Sequence, residues 1–268
     1  MLIAEPAAPP PSQRPGALHR WLRTYAPALV LLLVGVGIWE LVVQVLAVPE
    51  YLWPAPSDIG RAFHDNARLL LDNTGVTVSE VVLGFLIAVV TGLAFAVIIH
   101  LSPTLKRAVS PILIASQSIP TVVLAPVLVI LLGFGIGPKL AIIGLFCFFP
   151  IVVNGVDGLA SVDRDYIRMM LTLDASRFAI LKRVEFPSAL PLVFSGARIA
   201  AAYAAIGAVF GEWSGASRGL GFLMLEARPS LGTSLIFACV ILLSAIALVL
   251  FSLVTLVERI TIPWAREE

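Results

Sequence analysis

Six stretches of this chain run for about 20 residues almost without charge: roughly 28–48, 76–99, 110–132, 139–157, 192–212 and 234–257. Few structures can absorb such runs. A helix of about 20 apolar residues crosses a hydrocarbon layer about 30 Å thick. Inside that layer every backbone N–H and C=O needs a partner within the protein, so only helices and closed barrels can span it. The runs do not alternate apolar with polar residues, which removes the barrel. Composition agrees: 59% of the chain is hydrophobic and 13% charged, against about 25% charged in a soluble domain. We therefore expect an all-α integral membrane protein with six transmembrane helices in the lipid bilayer. The net charge of +1 provides no field that would gather nucleic acid.

Residues 1–27, beginning MLIAEPAAPPPSQRPG, are rich in proline and poor in core-forming residues, so we expect a disordered tail. The first apolar run is longer than a secretory signal and lacks a small-residue cleavage site, so it reads as an uncleaved span. The membrane domain then occupies 28–262, followed by a short tail, 263–268. Lys and Arg set orientation. With the N-terminus inside, twelve fall inside, five outside and Arg198 within a span. Both termini and the segment 158–191 are thus expected in the cytoplasm. A short helix over 58–71, begun by Ser57 as N-cap, should lie at the outer interface.

The segment 158–191 is too short and too charged to cross a bilayer. We expect two helical pieces, Arg164–Leu171 and Ala175–Phe186, with Asp174 capping the second. Pro187 should end that piece, and Pro191 suits the first turn of the next span. Polar and apolar residues do not separate around either piece. That pattern fits a helix–turn–helix packed on one side against its own spans and on the other against a soluble partner.

At this point the chain resembles a family. Permease subunits of bacterial ATP-binding-cassette importers carry a cytoplasmic motif: E-A-A, three residues, Gly, nine residues, then I-x-L-P. The same spacing here gives Arg168-Met169-Met170, then Asp174, then Val184-Glu185-Phe186-Pro187. Spacing and proline match; the triplet and the glycine do not. Gln117-Ser118-Ile119-Pro120, Ala125-Pro126 and Gly133 to Gly137 are similar to the third span of the nitrate/sulfonate/taurine branch. So are Phe149-Pro150 through Asn154 and Ser195 through Ala200. The segment IGAVFGEWSGASRGLGFLML, 206–225, is most similar to permeases for pyrimidine precursors of thiamine.

The resemblance implies a type I importer permease in the bacterial cytoplasmic (inner) membrane. Two copies would enclose a path. A pair of ABC ATPase subunits would grip loop 158–191, and an extracytoplasmic binding protein would deliver substrate. ATP-driven closure would flip the spans between inward and outward states. The coupling residues would be Arg168, Asp174, Ala175, Ser176, Arg177, Phe178, Lys182, Arg183 and Pro187. Polar positions on spans and the interrupted third span suggest a path along Gln117, Ser118, Pro120, Asn154 and Tyr203. Glu212 and Trp213 would form its outer end.

The chain carries no G-x-x-x-x-G-K-[ST] loop, so ATP would be bound by the partner and the subunit needs no cofactor of its own. His19, His64 and His100 assemble no catalytic or metal set with a nucleophile, so the chain does not read as an enzyme. Cys147 and Cys239 lie in apolar runs and read as packing residues. Glu40, inside the first span, should face protein or water. Glu80 and Arg198, near span ends, need only snorkelling or an ion pair. An ion-coupled secondary transporter is the competing class. It is disfavoured because no second span repeats the broken 117–126 pattern such proteins pair. Thiamine-type pyrimidines lead as substrate by resemblance, with sulfonate or taurine, nitrate and riboflavin open.

Overall fold

A computed structural model describes residues 17–116 and 120–266, all helix, turn or coil. Gln117 and Ser118 lie outside the described residues. The chain divides into two compact units, Met1–Asp58 and Ile59–Glu268.

In the first unit, helix α1 spans Ala17–Val45 and exposes Leu29 through Leu33 and most of the apolar residues that follow. Glu40 faces protein, as a carboxylate in a span must. It accepts from the Ser57 N–H (3.0 Å) and the Ser57 hydroxyl (2.7 Å), and from Gln44. This corrects the role of Ser57. Helix α2 (Pro56–Asp65) starts two residues earlier than the expected 58, with Pro56 in its first turn, where a missing N–H costs nothing. Asp58 reaches back to the Ala55 N–H (3.0 Å), half of a capping box. The helix also stops sooner than expected. Asn66 separates it from α3 (Ala67–Leu101).

The second unit is built on α3, α6 (Ile136–Ala160), α9 (Phe186–Trp213) and α11 (Thr233–Thr261). Their shared core holds Val81, Phe85 and Ala88 of α3, Ile143, Cys147 and Ile151 of α6, five alanines of α9 and Leu250 and Val254 of α11. In lipid, helices gain little from hydrophobic burial against each other, so close backbone approach through small residues drives packing. The seams show it. A Cβ on Gly84 would come within 2.6 Å of Ile143, and one on Gly207 within 2.9 Å of the Ile143 backbone. Five helices among the described residues are long and apolar enough to span: Ala26–Val45 within α1, then α3, α6, the continuous Arg177–Trp213 and α11.

The expected third span, 110–132, is met by two shorter helices, α4 (Pro103–Ser116) and α5 (Thr121–Leu132). Pro120 stands extended before α5 (φ −62°, ψ 108°). Its ring removes a donor and disfavours helix in the residue before it. Both pieces carry a further internal proline, Pro111 and Pro126.

Segment 158–191 is a helix–turn–helix with two departures. Asp174 does not cap the second helix; it ends the first. After α7 (Arg164–Thr172), Asp174 takes φ +57°. Its N–H donates to Leu171 O (3.1 Å) and the Ala175 N–H to Met170 O (3.1 Å). This is a Schellman turn, whose left-handed residue is usually glycine and sometimes a short polar one. Asp174 therefore occupies the motif's glycine position for a backbone reason. Ser176 caps α8 (Arg177–Ile180) by accepting from the Ala179 N–H.

Nor does Pro187 end the second helix. A π-helical segment, Leu181–Glu185, leads directly into α9, with the Phe186 N–H reaching back five residues to Leu181 O. The wider turn relieves the clash of a proline ring with the preceding turn, and Pro187 falls in the first turn of α9.

Candidate functional site

Three features can serve transport. The first is a cavity of about 590 Å³ framed by α4, α5, α6 and α9. Pro150 and Asn154 place it on α6: the Asn154 amide donates to the Pro150 carbonyl (2.8 Å), which fixes its orientation. Gly196 of α9 backs this pair so closely that a Cβ would lie 2.7 Å from both Pro150 O and Asn154 Cβ. Tyr203, Ile199 and Ile206 line the α9 side, Thr121 and Leu124 the α5 side, and Phe146, Phe148 and Phe149 the α6 side. Among the described residues no Asp, Glu, Lys, Arg or His lines it. It can hold a flat apolar ring and offer a few hydrogen bonds, the usual character of a small-molecule site. Asn154 and Tyr203 thus meet on one cavity. Pro120 adjoins its wall through Thr121.

Glu212 and Trp213 sit elsewhere, at the far end of α9. Glu212 is 1% exposed. Its carboxylate accepts from the Thr77 hydroxyl (2.7 Å) and from the N–H groups of Gly221 and Phe222. Asn73 accepts from the Gly219 N–H (2.7 Å) and Thr77 from the Leu220 N–H (2.9 Å). These are the orphan donors at the start of α10 (Leu220–Ala227), and a partly positive helix start favours a carboxylate. The side chain therefore ties α10 to α3 and α9. Beside it, buried Glu80 pairs with Lys139 (2.6 Å). An aromatic row joins this end to the cavity. Phe146 stacks on Phe210 (6.0 Å) and Phe210 meets Trp213 edge-on (5.4 Å). Trp213 donates to Gly221 O (3.0 Å) and lies 4.6 Å beneath the Arg228 guanidinium.

The third feature is the outer face of α7–α8. Helix α7 buries nothing. Leu173 and Phe178 are 71% and 70% exposed, beside exposed Tyr166 and Met169. Arg168, Ser176, Lys182 and Arg183 share this exposed region, with Ala175 and Pro187 half-buried. Arg168 pairs with Asp165. Arg177 turns the other way, onto Glu185 (2.6 Å). Arg198 of α9 pairs with Glu258 of α11.

Sequence reading overlooked Asn73, Thr77, Lys139 and Glu185 as partners. One signal was available: Asn73, Thr77 and Glu80 fall at i, i+4 and i+7, one face of an otherwise apolar helix.

A bundle of long apolar helices, interrupted by prolines and enclosing an uncharged cavity, defines a multi-pass membrane transport protein. Known proteins narrow this. Residues 81–263 match the family described as binding-protein-dependent transport system inner membrane component. The formylaminopyrimidine transport permease protein ThiX of Halalkalibacterium halodurans is 33% identical, over 94% of this chain and 100% of that one. The riboflavin transport system permease protein RibX of Chloroflexus aurantiacus is 35% identical, over 88% of each. Among solved structures, a chain of the MetNI methionine ABC transporter in inward-facing conformations matches with a TM-score of 0.63 at 19% identity. The match covers 73% of this chain and 97% of that one, and it speaks for the fold alone. The chain belongs to the family of inner membrane components of binding-protein-dependent transport systems. It is an ABC importer permease and not an enzyme.

Proposed function

We propose that this permease imports a small, neutral ring compound of the pyrimidine class, passing it through the cavity between α5, α6 and α9. The observation that carries the reading is the lining: three phenylalanines, Tyr203, Asn154 and Thr121, and, among the described residues, no charged side chain. Taking nitrate or a sulfonate out of water without a paired cation costs several kcal/mol, whereas a ring compound gains from stacking and from one or two hydrogen bonds. The likeness to ThiX supports the same class. A riboflavin-type ring is the second reading, favoured by the likeness to RibX.

In this reading a second copy of the chain completes the path, with Pro120 along it and Trp213 at its outer end. An extracytoplasmic binding protein delivers the substrate. An ATPase pair binds ATP and docks on α7–α8, where Leu173 and Phe178 present exposed apolar anchors and Arg168, Lys182 and Arg183 are exposed as well. Exposed aromatic and aliphatic anchors within a polar rim suit such an interface. Both termini then lie in the cytoplasm, as the distribution of Lys and Arg suggests.

The test is uptake into proteoliposomes holding this chain with the ATPase and binding protein of its own system. Labelled aminopyrimidine, riboflavin, taurine and nitrate are supplied in turn. ATP-dependent uptake of the aminopyrimidine and not of the two anions is expected. Uptake of taurine or nitrate alone overturns the substrate reading, and uptake of riboflavin alone replaces it with the second.

A further inference from the structure

Where α3 ends, three charged or ionisable side chains from three elements meet. Glu185, last residue of the π segment, is 1% exposed. Its Oε1 accepts from Arg177, first residue of α8, at 2.6 Å. Its Oε2 lies 3.1 Å from Nε2 of His100, in the last turn of α3. The same ring nitrogen lies 3.1 Å from the Arg177 guanidinium. Nothing in the path or in the docking surface requires this cluster.

The π segment accounts for its assembly. Arg177 and Glu185 are eight residues apart, which leaves them about 80° apart around a regular α-helix at about 100° per residue. A π turn, bonded over five residues instead of four, rotates less per residue and brings Glu185 back toward the face of Arg177. Mid-helix π segments of this kind recur at functional positions. Here it aims a carboxylate at both the start of α8 and the end of α3.

We propose that Glu185 is a positioning residue that couples α8 to α3, so that displacement of the docking helices moves two core helices together. The inference rests on the importer reading above. Helix α9 is already joined to α8 through one continuous helical segment, Arg177–Trp213. Helix α3 has no such covalent link; His100 supplies a polar one, lying 3.1 Å from the Arg177 guanidinium and 3.1 Å from the Glu185 carboxylate, which are themselves joined by a charge-assisted bond of 2.6 Å. At its other end α3 carries Asn73 and Thr77, which hold α10. A push at α7–α8 therefore reaches both the cavity wall on α9 and the far end of α3.

The experiment measures ATP hydrolysed per substrate imported, in proteoliposomes of the full complex. His100→Leu removes the α3 partner at a position remote from the docking face, and His100→Gln restores a polar nitrogen. Arg177→Met and Arg177→Lys do the same on α8. Each leaves Glu185 in place; Arg177→Met strips a buried carboxylate of its cation and is expected to destabilise, so His100→Leu, which keeps the Arg177–Glu185 pair, carries the test. The ratio is expected to rise at least about fivefold in His100→Leu and Arg177→Met, the low end of coupling between sites. The lysine and glutamine variants should recover it, and KM for the loaded binding protein should hold in His100→Leu. A wild-type ratio in His100→Leu overturns the coupling through α3, whatever Arg177→Met does. A wild type that shows no ATP-dependent uptake overturns the importer reading instead.

Discussion

Replacing Gly219 by alanine tests whether the Glu212 carboxylate holds α10. Gly219 takes φ +125°, and a Cβ built there falls inside the Glu212 carboxyl group. Two costs follow. Alanine in that backbone region costs about 1–3 kcal/mol. Displacing the carboxylate also strands buried donors, the N–H groups of Gly221 and Phe222 and the Thr77 hydroxyl. Each such group costs about 1–3 kcal/mol when left unpaired in the interior. Partial relaxation keeps these from adding in full, so a loss of about 3–6 kcal/mol is expected. Gly215 is the internal control. It also has a positive φ, +151°, but its Cβ would meet the ring edge of Phe134, which is exposed and can move. Gly215→Ala should therefore cost only the backbone part, about 1–3 kcal/mol. The assay is thermal unfolding of the detergent-solubilised protein, with the two variants side by side. Gly219→Ala should unfold well below Gly215→Ala. Equal losses would mean that the carboxylate contributes nothing beyond the turn itself.

Other outcomes follow from the same structure. Lys139→Met should destabilise by about 3–5 kcal/mol, because it leaves Glu80 buried without its cation, whereas Glu80→Leu with Lys139→Met should be close to neutral; a double-mutant cycle on melting temperature checks this. Asp174→Val should cost about 1–2 kcal/mol, since a β-branched residue resists the left-handed region, while Asp174→Gly should be neutral or stabilising; limited proteolysis of the α7–α8 turn reports both. Asn154→Asp should raise KM for a neutral pyrimidine at least about tenfold by putting a charge into an apolar cavity, read by the uptake assay above.

Much of the fold was legible because the bilayer forces length and apolarity on its helices. Where the reading departed, the missing information was local backbone geometry or a distant partner. The span read as 76–99 is part of α3, which starts at Ala67. Asn73 lies outside the apolar window and Thr77 at its edge, and their partners are backbone N–H groups at the start of α10, nearly 150 residues away in sequence. Asp174 was read as a helix start because an aspartate serves either as a cap or in a left-handed turn. Only the carbonyls it meets decide between them. Pro187 was read as a stop because nothing in the sequence announces a π turn. Of the polar residues on spans, Asn154 and Tyr203 share one cavity, whereas Glu212 is buried and accepts from groups at the start of α10, a role that depends on a glycine turn.

The placement of the polar clusters along α3 has a further logic. At about 1.5 Å per residue, the 35 residues of α3 extend about 52 Å, well beyond the roughly 30 Å of hydrocarbon. From Glu80 to His100 is about 30 Å along the axis. The Glu80–Lys139 pair and the His100–Glu185 cluster thus stand one hydrocarbon thickness apart, and the Thr77 and Asn73 contacts lie further out. Between them the α3 face in the core is Val81, Gly84, Phe85, Ala88, Gly92 and Ala96, all apolar or small. Ionic groups are costly at the bilayer centre and much less so at its edges, so the helix carries its polar ties only where the surroundings tolerate them. The centre is left to close packing against Ile143 and Ile151. A rod packed along its middle and fastened by polar groups at both ends can shift as one body, because its ends are held more directionally than its middle. For the importer mechanism proposed above, that is the property wanted of a helix linking the docking helices to α10.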